Sequence, residues 1–309
     1  MSGTIEIKNF SKSYGAIKAV ENLSLRIDSR ELFGLIGPDG AGKTTTMRTL
    51  CTLLTCEQGE MYVDGKEVQK EIPYIRSILG YMPQRFSLYP DLTVKQNLNF
   101  FADLFGVPKS EKMARLAQLY QFSKLEPFKN RLASALSGGM KQKLALSCIL
   151  IHTPKILILD EPTTGVDAVS RREFWEILRQ LRQEGVTIMV STPYMDEASL
   201  CDRVAFMYNG HLLALDKPDQ LHKLFPFYLY EITTAEIRSV VSYFQNVLDV
   251  KSVQIFGDRL HVSFVQALDD RKISQIQYNS PIQITSIKKL QPGIEDTFLE
   301  LMKKQEQEH

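Results

Sequence analysis

The sequence is poor in the residues that build disulfide-linked or zinc-stabilised folds. It contains four cysteines, with no Cys-x-x-Cys pair and no nearby histidine cluster: Cys51, Cys56, Cys148 and Cys201. This spacing disfavours a disulfide framework and a zinc site, and it predicts reduced structural thiols. Two histidines, His152 and His211, lack a partner motif, and we interpret both as structural.

Long apolar runs are also missing. A membrane-spanning helix needs about 20 predominantly apolar residues, whereas the runs at 156–159 and 188–190 are only strand-sized. We therefore expect that the chain does not cross a membrane by itself. The first ten residues mix charge with alternating apolar residues and lack the apolar core of a signal peptide, which predicts a cytoplasmic location.

An excess of charge of either sign is absent as well. Lys and Arg together number 37 against 36 Asp and Glu, so the charge balance does not favour a nucleic-acid partner. The content of 44% hydrophobic and 24% charged residues is that of an ordinary globular protein. The length of 309 residues predicts one large domain with a small appendix.

The periodicity of apolar residues predicts an α/β fold. Residues 1–30 alternate as antiparallel strands do, with a turn at Tyr14-Gly15, and 93–128 has a helical period. Elsewhere, predicted strands at 32–36, 79–82, 156–159 and 187–191 alternate with helices, including one over 43–54 and one over 171–184. This order implies a mainly parallel sheet that is covered on both faces.

The character of the sequence changes after Gly210. Residues 217–226 contain two prolines and are predicted to form a linker. Beyond them the order strand, helix, hairpin, helix, strand and helix predicts a small α+β domain of ferredoxin-like type, with its last strand starting at Ile282. The predicted domains are 1–220 and 221–309.

One segment between a predicted strand and a predicted helix matches the phosphate-loop pattern GxxxxGK[ST]. Its glycines allow a tight turn in which backbone N–H groups converge on phosphate oxygens, while the lysine neutralises the β- and γ-phosphates and the threonine hydroxyl binds Mg²⁺. We include the following threonine in this predicted nucleotide site: Gly37, Pro38, Asp39, Gly40, Ala41, Gly42, Lys43, Thr44 and Thr45.

Two further motifs could act on the same ligand. A buried-strand pattern ends in Asp160-Glu161, where the aspartate could reach Mg²⁺ and the glutamate could orient or deprotonate a water. Ser137, Gly138 and Gly139 begin a helical stretch, where a capping serine and open backbone donors would form a second anion site. Taken alone, the first could be two solvated acids in a loop and the second an ordinary capped helix.

The order of these motifs is similar to that of the ATP-binding cassette (ABC) ATPases over about residues 1–220. The resemblance implies a P-loop NTPase core with an antiparallel β subdomain and a helical subdomain. It implies that Tyr14 stacks on adenine, that Gln84 contacts both Mg²⁺ and the attacking water, and that Glu161 is the catalytic carboxylate. It also implies that the 137–139 segment caps the γ-phosphate bound by a second cassette, and that Asp167 contacts that cassette across the interface. Thr44, Gln84 and Asp160 would hold Mg²⁺, and ATP would be the nucleotide.

Shorter matches at 81–84, 194–198 and 294–299 resemble the multidrug-exporter branch of this family, whose permeases are separate or operon-linked membrane chains. This implies integral-membrane permease partners and a peripheral position on the inner face of the cell membrane. Phe86 and Tyr89 are the better candidates for the groove that receives a permease, whereas we interpret Phe101 and Phe105 as core residues.

Three positions depart from the family pattern. Asp39 replaces a usual Asn, and Met140 replaces the usual Gln of the Leu-Ser-Gly-Gly motif, and neither change removes a phosphate contact. Pro193 replaces the histidine that contacts the γ-phosphate in the family, and proline has neither a side-chain donor nor a backbone N–H.

Two readings stand open beside an active exporter subunit. One, which Pro193 alone supports, is a catalytically degenerate, ATP-binding regulatory half of an asymmetric pair. The other is a family member that acts on ribosomes or DNA. Such relatives carry two cassettes in one chain or a long coiled coil, neither of which this sequence contains.

Overall fold

The computed structural model describes residues 4–247, 249–280 and 283–308. The chain divides into two compact units, Met1–Pro218 and Asp219–His309. We describe each unit by itself.

The first unit contains two sheets. The smaller sheet is antiparallel and has the strand order β2-β1-β4-β5, and the larger one has the order β10-β9-β3-β8-β7-β6. Five neighbouring strands of the larger sheet are parallel, and only β10 runs antiparallel to its neighbour. The strands are β1 (Ile5–Tyr14), β2 (Ile17–Ile27), β3 (Leu32–Ile36), β4 (Gln58–Val63), β5 (Lys66–Glu67), β6 (Leu79–Met82), β7 (Ile156–Asp160), β8 (Thr187–Thr192), β9 (Arg203–Tyr208) and β10 (His211–Asp216).

Helices connect these strands. The described α-helices of this unit are α1 (Lys43–Leu50), α2 (Ile72–Ile78), α3 (Val94–Leu104), α4 (Lys109–Ser123), α5 (Gly138–Leu150), α6 (Ala168–Gln183) and α7 (Met195–Ala198). Strand β3, which is fully apolar, and β7, which is apolar up to its last residue, Asp160, are buried along their whole length, as expected for a sheet covered on both faces. Apolar residues of the two sheets, α1 and α2 form one continuous core cluster.

The second unit is an antiparallel sheet with the order β12-β13-β11-β14, packed against two helices. Val240 and Phe244 of α9 and Ile276 of α10 pack onto its apolar face. This is the predicted ferredoxin-like arrangement, although the predicted strand start at Ile282 lies outside the described residues. Its elements are α8 (Pro218–Leu221, which begins on the last residue of the first unit), β11 (Tyr228–Thr234), α9 (Ile237–Gln245), β12 (Val250–Phe256), β13 (Arg259–Phe264), α10 (Asp270–Asn279), β14 (Ile284–Leu290) and α11 (Ile294–Glu308).

Four sequence predictions are wrong in detail. The helix predicted over 43–54 ends at Leu50, because Thr52 adopts a left-handed backbone conformation with φ of 60°. The helical stretch 93–128 is two helices, interrupted at Gly106, where φ is 65°. The predicted linker 217–226 contains α8 and a 3₁₀ turn, His222–Leu224. Phe105, interpreted as core, is 43% exposed.

None of the helices among the described residues is both long enough and apolar enough to span a membrane.

Candidate functional site: a phosphate-binding cleft at the carboxyl edge of the parallel sheet

The carboxyl ends of four parallel strands meet at one edge of the larger sheet. Strand β3 runs into Gly37, β7 ends in Asp160, β8 ends in Thr192, and β6 leads to Gln84. In the register of the sheet, Asp160 lies opposite Ser191. Segments that are far apart in the sequence therefore come together at this edge, as is usual for ligand sites in open α/β sheets.

The phosphate loop needs its glycines for two physical reasons. Gly42 has φ of 96°, a conformation that residues with a side chain rarely adopt. A Cβ atom at Gly37 would lie 2.1 Å from the carbonyl oxygen of Met207, and one at Gly42 would lie 2.4 Å from that of Ala19. The loop thus packs tightly against the neighbouring backbone and leads directly into the first turn of α1. The backbone N–H groups of that turn form an anion-binding helix start.

The side chain of Lys43 is buried at the floor of this loop. Its Nζ donates to the carbonyl oxygens of Gly37 and Pro38, at 2.7 and 2.9 Å, and lies 3.2 Å from Oε1 of Glu161. A buried ammonium group is stable only with such partners. These contacts hold the positively charged Nζ of Lys43 at the floor of the cleft, where a phosphate could reach it.

Asp160 carries the features of a cation ligand. Its Oδ1 accepts hydrogen bonds from the hydroxyls of Thr44, at 3.0 Å, and Ser191, at 2.8 Å. Its Oδ2 is buried and has no hydrogen-bond partner among the described residues. Burial raises the pKa of this carboxyl above its usual range, although both hydroxyl bonds and Lys43 oppose the shift. A bound cation would satisfy the free oxygen and favour the ionised form.

The donor set around Asp160 fits Mg²⁺. This ion is commonly held by one or two carboxylates together with substrate phosphates, rather than by a cage made only of protein ligands. No cluster of three or more His, Cys, Asp or Glu residues with metal-site geometry occurs in the described part of the chain. Asp160 and Thr44 would therefore hold the ion only together with oxygens of a bound nucleotide.

Glu161 lies beside Asp160 and is tightly positioned. Its backbone has φ of 49°, and its N–H donates to Oγ of Ser191 at 3.0 Å. Its Oε2 accepts a hydrogen bond from Nε2 of Gln84 at 2.9 Å. The left-handed backbone aims the carboxylate toward both Lys43 and Gln84. Such strain at a non-glycine residue is commonly found at functional sites.

Lys43, Thr44, Gln84 and Glu161 line one cleft of about 680 Å³, and Asp160 adjoins this cleft through its hydrogen bond with Thr44. Its lining contains the predicted residues Asp39 to Thr45, Gln84 and Glu161, together with residues that sequence reasoning missed: Ile17, Lys18, Ala19 and Asn209. Ser191 was also missed. The only available signal for Ser191 was its position at the end of a strand that neighbours the one carrying Asp160.

The remaining predicted residues lie elsewhere. Tyr14 is 48% exposed, with Nζ of Lys12 at 5.9 Å from its ring centroid, and it is not among the described residues that line the cleft. Ser137 caps α5 by accepting a hydrogen bond from the N–H of Met140. Asp167 caps α6 by accepting one from the N–H of Ser170, at 2.9 Å.

The two capped helix starts pack against each other. A Cβ atom at Gly139 would lie 2.3 Å from Cβ of Ser170, and one at Gly138 would lie 3.7 Å from the carbonyl oxygen of Gly165. Lys143 of α5 also forms an ion pair with Glu173 of α6. The segments around residues 138–139 and 165–170 thus form a second polar cluster, separate from the residues that line the cleft.

The strand, phosphate loop and helix, with Asp160 on β7 and β8 lying between β7 and β3, form the arrangement of P-loop nucleotide-binding proteins. A profile of the family described as ABC transporter matches residues 20–164.

Three curated relatives extend this match. The probable multidrug ABC transporter ATP-binding protein YbhF of Escherichia coli is 42% identical over 220 residues, which cover 70% of this chain but only 38% of that protein. The Nod factor export ATP-binding protein I of Cupriavidus metallidurans is 37% identical over 222 residues, covering 72% of this chain and 73% of the relative. The linearmycin resistance ATP-binding protein LnrL of Bacillus subtilis is 29% identical over 303 residues, and this alignment covers 96% of this chain and 97% of LnrL.

A solved structure shows the same fold. The ATP-binding cassette MJ0796, described as dimeric, in a post-hydrolysis state and bound to ADP and Pi, aligns with a TM-score of 0.63 and 27% identity. The alignment covers 69% of this chain and 98% of that one. The chain belongs to the ABC transporter family, as one of its ATP-binding subunits. The predicted class of enzyme, an ABC-type ATPase, is confirmed.

Proposed function

We propose that this chain binds and hydrolyses ATP in order to power a membrane exporter, and that it does so by pairing with a second cassette. The observation that carries the proposal is the contact of Lys43 with Glu161 beside the buried carboxylate of Asp160. Lys43, a phosphate-binding cation, and Glu161, a candidate base, line the same cleft, and the candidate metal ligand Asp160 adjoins it through Thr44.

Each group in the cleft has a distinct role. The backbone N–H groups of the phosphate loop and the ammonium of Lys43 bind the phosphates and balance their charge. Thr44, Asp160 and Gln84 would hold Mg²⁺, which would neutralise the charge that develops on the phosphate oxygens. Glu161 accepts a proton from the attacking water or orients it, and the amide of Gln84 fixes the direction of the Glu161 carboxylate.

The second polar cluster supports a dimeric arrangement. Ser137, Gly138 and Gly139 would bind a phosphate, yet the cleft of the same chain is lined by other residues. A nucleotide contact from these residues is therefore made with the cleft of a second cassette, with Asp167 alongside. The cassette MJ0796 is described as dimeric, which supports this reading.

Aromatic residues near Gln84 support a permease contact. The ring pairs Tyr89–Phe100 and Phe86–Phe101 have centroid distances of 4.5 and 5.5 Å, and Phe105 stacks on His152 at 4.2 Å. Tyr89, Phe100 and Phe105 are each more than a third exposed. This patch of partly exposed rings suits an apolar segment of an integral-membrane chain, which would hold the subunit at the inner face of the membrane. The names of the relatives, which refer to multidrug transport, Nod factor export and linearmycin resistance, favour export of a drug or a small amphiphile.

Pro193 supports one second candidate, an ATP-binding half whose own site is slow. It follows directly on β8, which lies next to β7 and Asp160. Proline at this position cannot supply the imidazole N–H donor that the family has there, whereas the phosphate loop is intact. The chain would then bind ATP and rely on a competent partner cassette for turnover.

Steady-state ATP turnover separates the two candidates. The chain is purified and assayed alone, with its permease, and with Glu161→Gln as the inactive control. Turnover that rises when the permease is added, and that Glu161→Gln abolishes, supports the exporter ATPase. Tight ATP binding with turnover no higher than that of the control, in both settings, supports the regulatory half. Absence of ATP binding contradicts both.

A further inference from the structure

Glu197, within the short match at 194–198, is a buried carboxylate that does not line the cleft described above. It lies on the short helix α7, and only 2% of its surface is exposed. Burying an ionised carboxylate is costly unless donors and a counter-charge surround it. The contacts of Glu197 therefore indicate which neighbouring segments it stabilises.

The carboxylate joins two loops. The hydroxyl of Thr163 donates to Oε1 at 2.9 Å and lies 3.1 Å from Oε2, which also accepts a hydrogen bond from the hydroxyl of Thr192 at 2.5 Å. Thr163 follows the acidic pair 160–161 and begins the segment that leads to Asp167. Thr192 immediately precedes Pro193. The side chain of Glu197 thus contacts both the segment that leads to Asp167 and the loop that carries Pro193.

An arginine completes this arrangement. Nε of Arg171, in the first turns of α6, lies 3.9 Å from Oε1 of Glu197, and its guanidinium lies 4.7 Å from the ring centroid of Tyr194. The N–H of Tyr194 donates to the hydroxyl of Thr192 at 3.0 Å. Arg171 therefore balances the charge of Glu197 and also holds the residue that follows Pro193.

These contacts surround Pro193 without including it. Its neighbours on both sides, Thr192 and Tyr194, are held by Glu197 and Arg171. Proline cannot sense the γ-phosphate through a donor, so a response of this loop to nucleotide has to pass through its neighbours. The Glu197 carboxylate is the described group that connects them to the 163–167 segment.

We propose that Glu197 is a positioning residue that couples the loop 192–194 to the segment 163–167, so that both become ordered together when nucleotide binds. This inference rests on the proposed nucleotide-binding function. It assigns to this chain a coupling element that acts through Thr163 and Thr192 rather than through contact with the substrate.

Hydrogen exchange of the two loops tests the coupling. Exchange is followed by mass spectrometry in the parental chain and in Glu197→Gln, with and without Mg²⁺ and the slowly hydrolysed analogue adenosine 5′-(β,γ-imido)triphosphate. Gln keeps the shape but loses the charge, and it replaces one of the two acceptor oxygens with an NH₂ donor. We expect exchange to rise roughly tenfold or more in both segments of the variant, and the protection gained on binding to be lost in both. Turnover should fall roughly tenfold to a hundredfold, with little change in nucleotide Kd.

Asp196→Asn is the matched control. Asp196 is the neighbouring carboxylate on the same helix, is 71% exposed and lies 3.9 Å from Arg171. Its replacement should leave exchange in both loops unchanged. A rise confined to one loop in Glu197→Gln, or an equal rise in Asp196→Asn, would overturn the coupling.

A second variant keeps the test decisive if Glu197→Gln does not fold. Thr163→Val removes one donor and leaves Glu197 in place, and it should speed exchange at Tyr194, which is 31 residues further along the chain. Exchange that rises only at 163–167 contradicts the inference. Failure of the parental chain to bind the nucleotide analogue contradicts the proposed function instead, whereas the exchange of both loops without nucleotide still reports on Glu197.

Discussion

The ammonium group of Lys43 lies 3.2 Å from a carboxylate oxygen of Glu161, with both side chains almost fully buried. The two groups that the proposed reaction uses for phosphate binding and for water activation are thus in direct contact. A phosphate entering the cleft must compete with Glu161 for the same cation. This competition links ground-state binding to the residue proposed for catalysis.

Glu161→Gln should therefore bind ATP at least as tightly as the parental chain while losing turnover. The amide keeps the shape, removes a negative charge that would repel the phosphates, and cannot accept a proton. Turnover should fall roughly a hundredfold or more, and ATP should promote stable pairing of two chains. Sedimentation with and without ATP, together with phosphate release, measures both. Glu176→Gln, an exposed change on α6, is the control. A monomeric variant that hydrolyses ATP at the parental rate would remove Glu161 from its assigned role.

Pro193→His should raise ATP turnover of the purified chain. An imidazole at this position supplies an N–H donor that proline lacks, and one pre-aligned donor of this kind contributes roughly a hundred- to a thousandfold in rate. ATP affinity should stay nearly constant because the phosphate loop is unchanged. Pro193→Ala separates the gain of an imidazole from the loss of the proline ring, and it should not reproduce the increase. Brisk hydrolysis by the parental chain, unaffected by either change, would contradict the impaired-site reading.

Gly139→Ala should destabilise the first unit by about 1–3 kcal/mol. Its new Cβ would lie 2.3 Å from Cβ of Ser170, so α5 and α6 would have to move apart. Gly138→Ala is the matched control: its Cβ would lie no closer than 3.7 Å to its nearest neighbour, and alanine favours a helix by up to about 1 kcal/mol. Denaturant unfolding of both variants measures the difference. Equal effects would show that the two helix starts are not packed as described.

Because His152 is partly buried, we predict that the folded chain loses stability at mildly acidic pH. Burial lowers its pKa in the folded chain, while a hydrogen bond to the carbonyl of Leu79 opposes the shift. As the pH falls below about 6.5, the unfolded state binds the proton first. The free energy of unfolding should then decrease until the pH reaches the lower folded pKa. His152→Gln should lack this contribution in urea titrations at pH 5.5 and 7.5, and an identical pH dependence in both chains would contradict it.

The sequence was sufficient for those parts of the fold that local pattern determines. The strands at 32–36 and 79–82 were predicted with the observed bounds, because each is a short apolar run followed by a glycine turn or a proline. Such a run favours a buried strand. Helix α2 was missed because it is short and has Pro73 in its first turn. Strand β9, at the sheet position next to β3, was also missed. Its pairing is set by a partner about 170 residues away.

The site shows the same difference between residues in local motifs and residues that act through distant partners. Lys43, Thr44, Asp160 and Glu161 were found because each belongs to a local motif. Ser191 and Glu197 act through hydrogen bonds to residues about 30 positions away, such as the bond from Ser191 to Asp160. No local pattern reports on such bonds. The predicted stacking of Tyr14 on adenine stays a prediction.

Calorimetric titration of ATP in the presence of Mg²⁺, into the parental chain and into Lys43→Ala, tests the central claim most directly. Removing the buried ammonium leaves Glu161 and the phosphates without their shared counter-charge, and a hydrogen bond to a charged group contributes about 1.5–3 kcal/mol. We predict saturable binding by the parental chain and an affinity roughly ten- to a hundredfold lower in the variant. Lys112→Ala, at a largely buried lysine that pairs with Asp103 outside the cleft, controls for loss of a buried charge. Undiminished ATP binding by Lys43→Ala would contradict the assignment of this cleft as the nucleotide site.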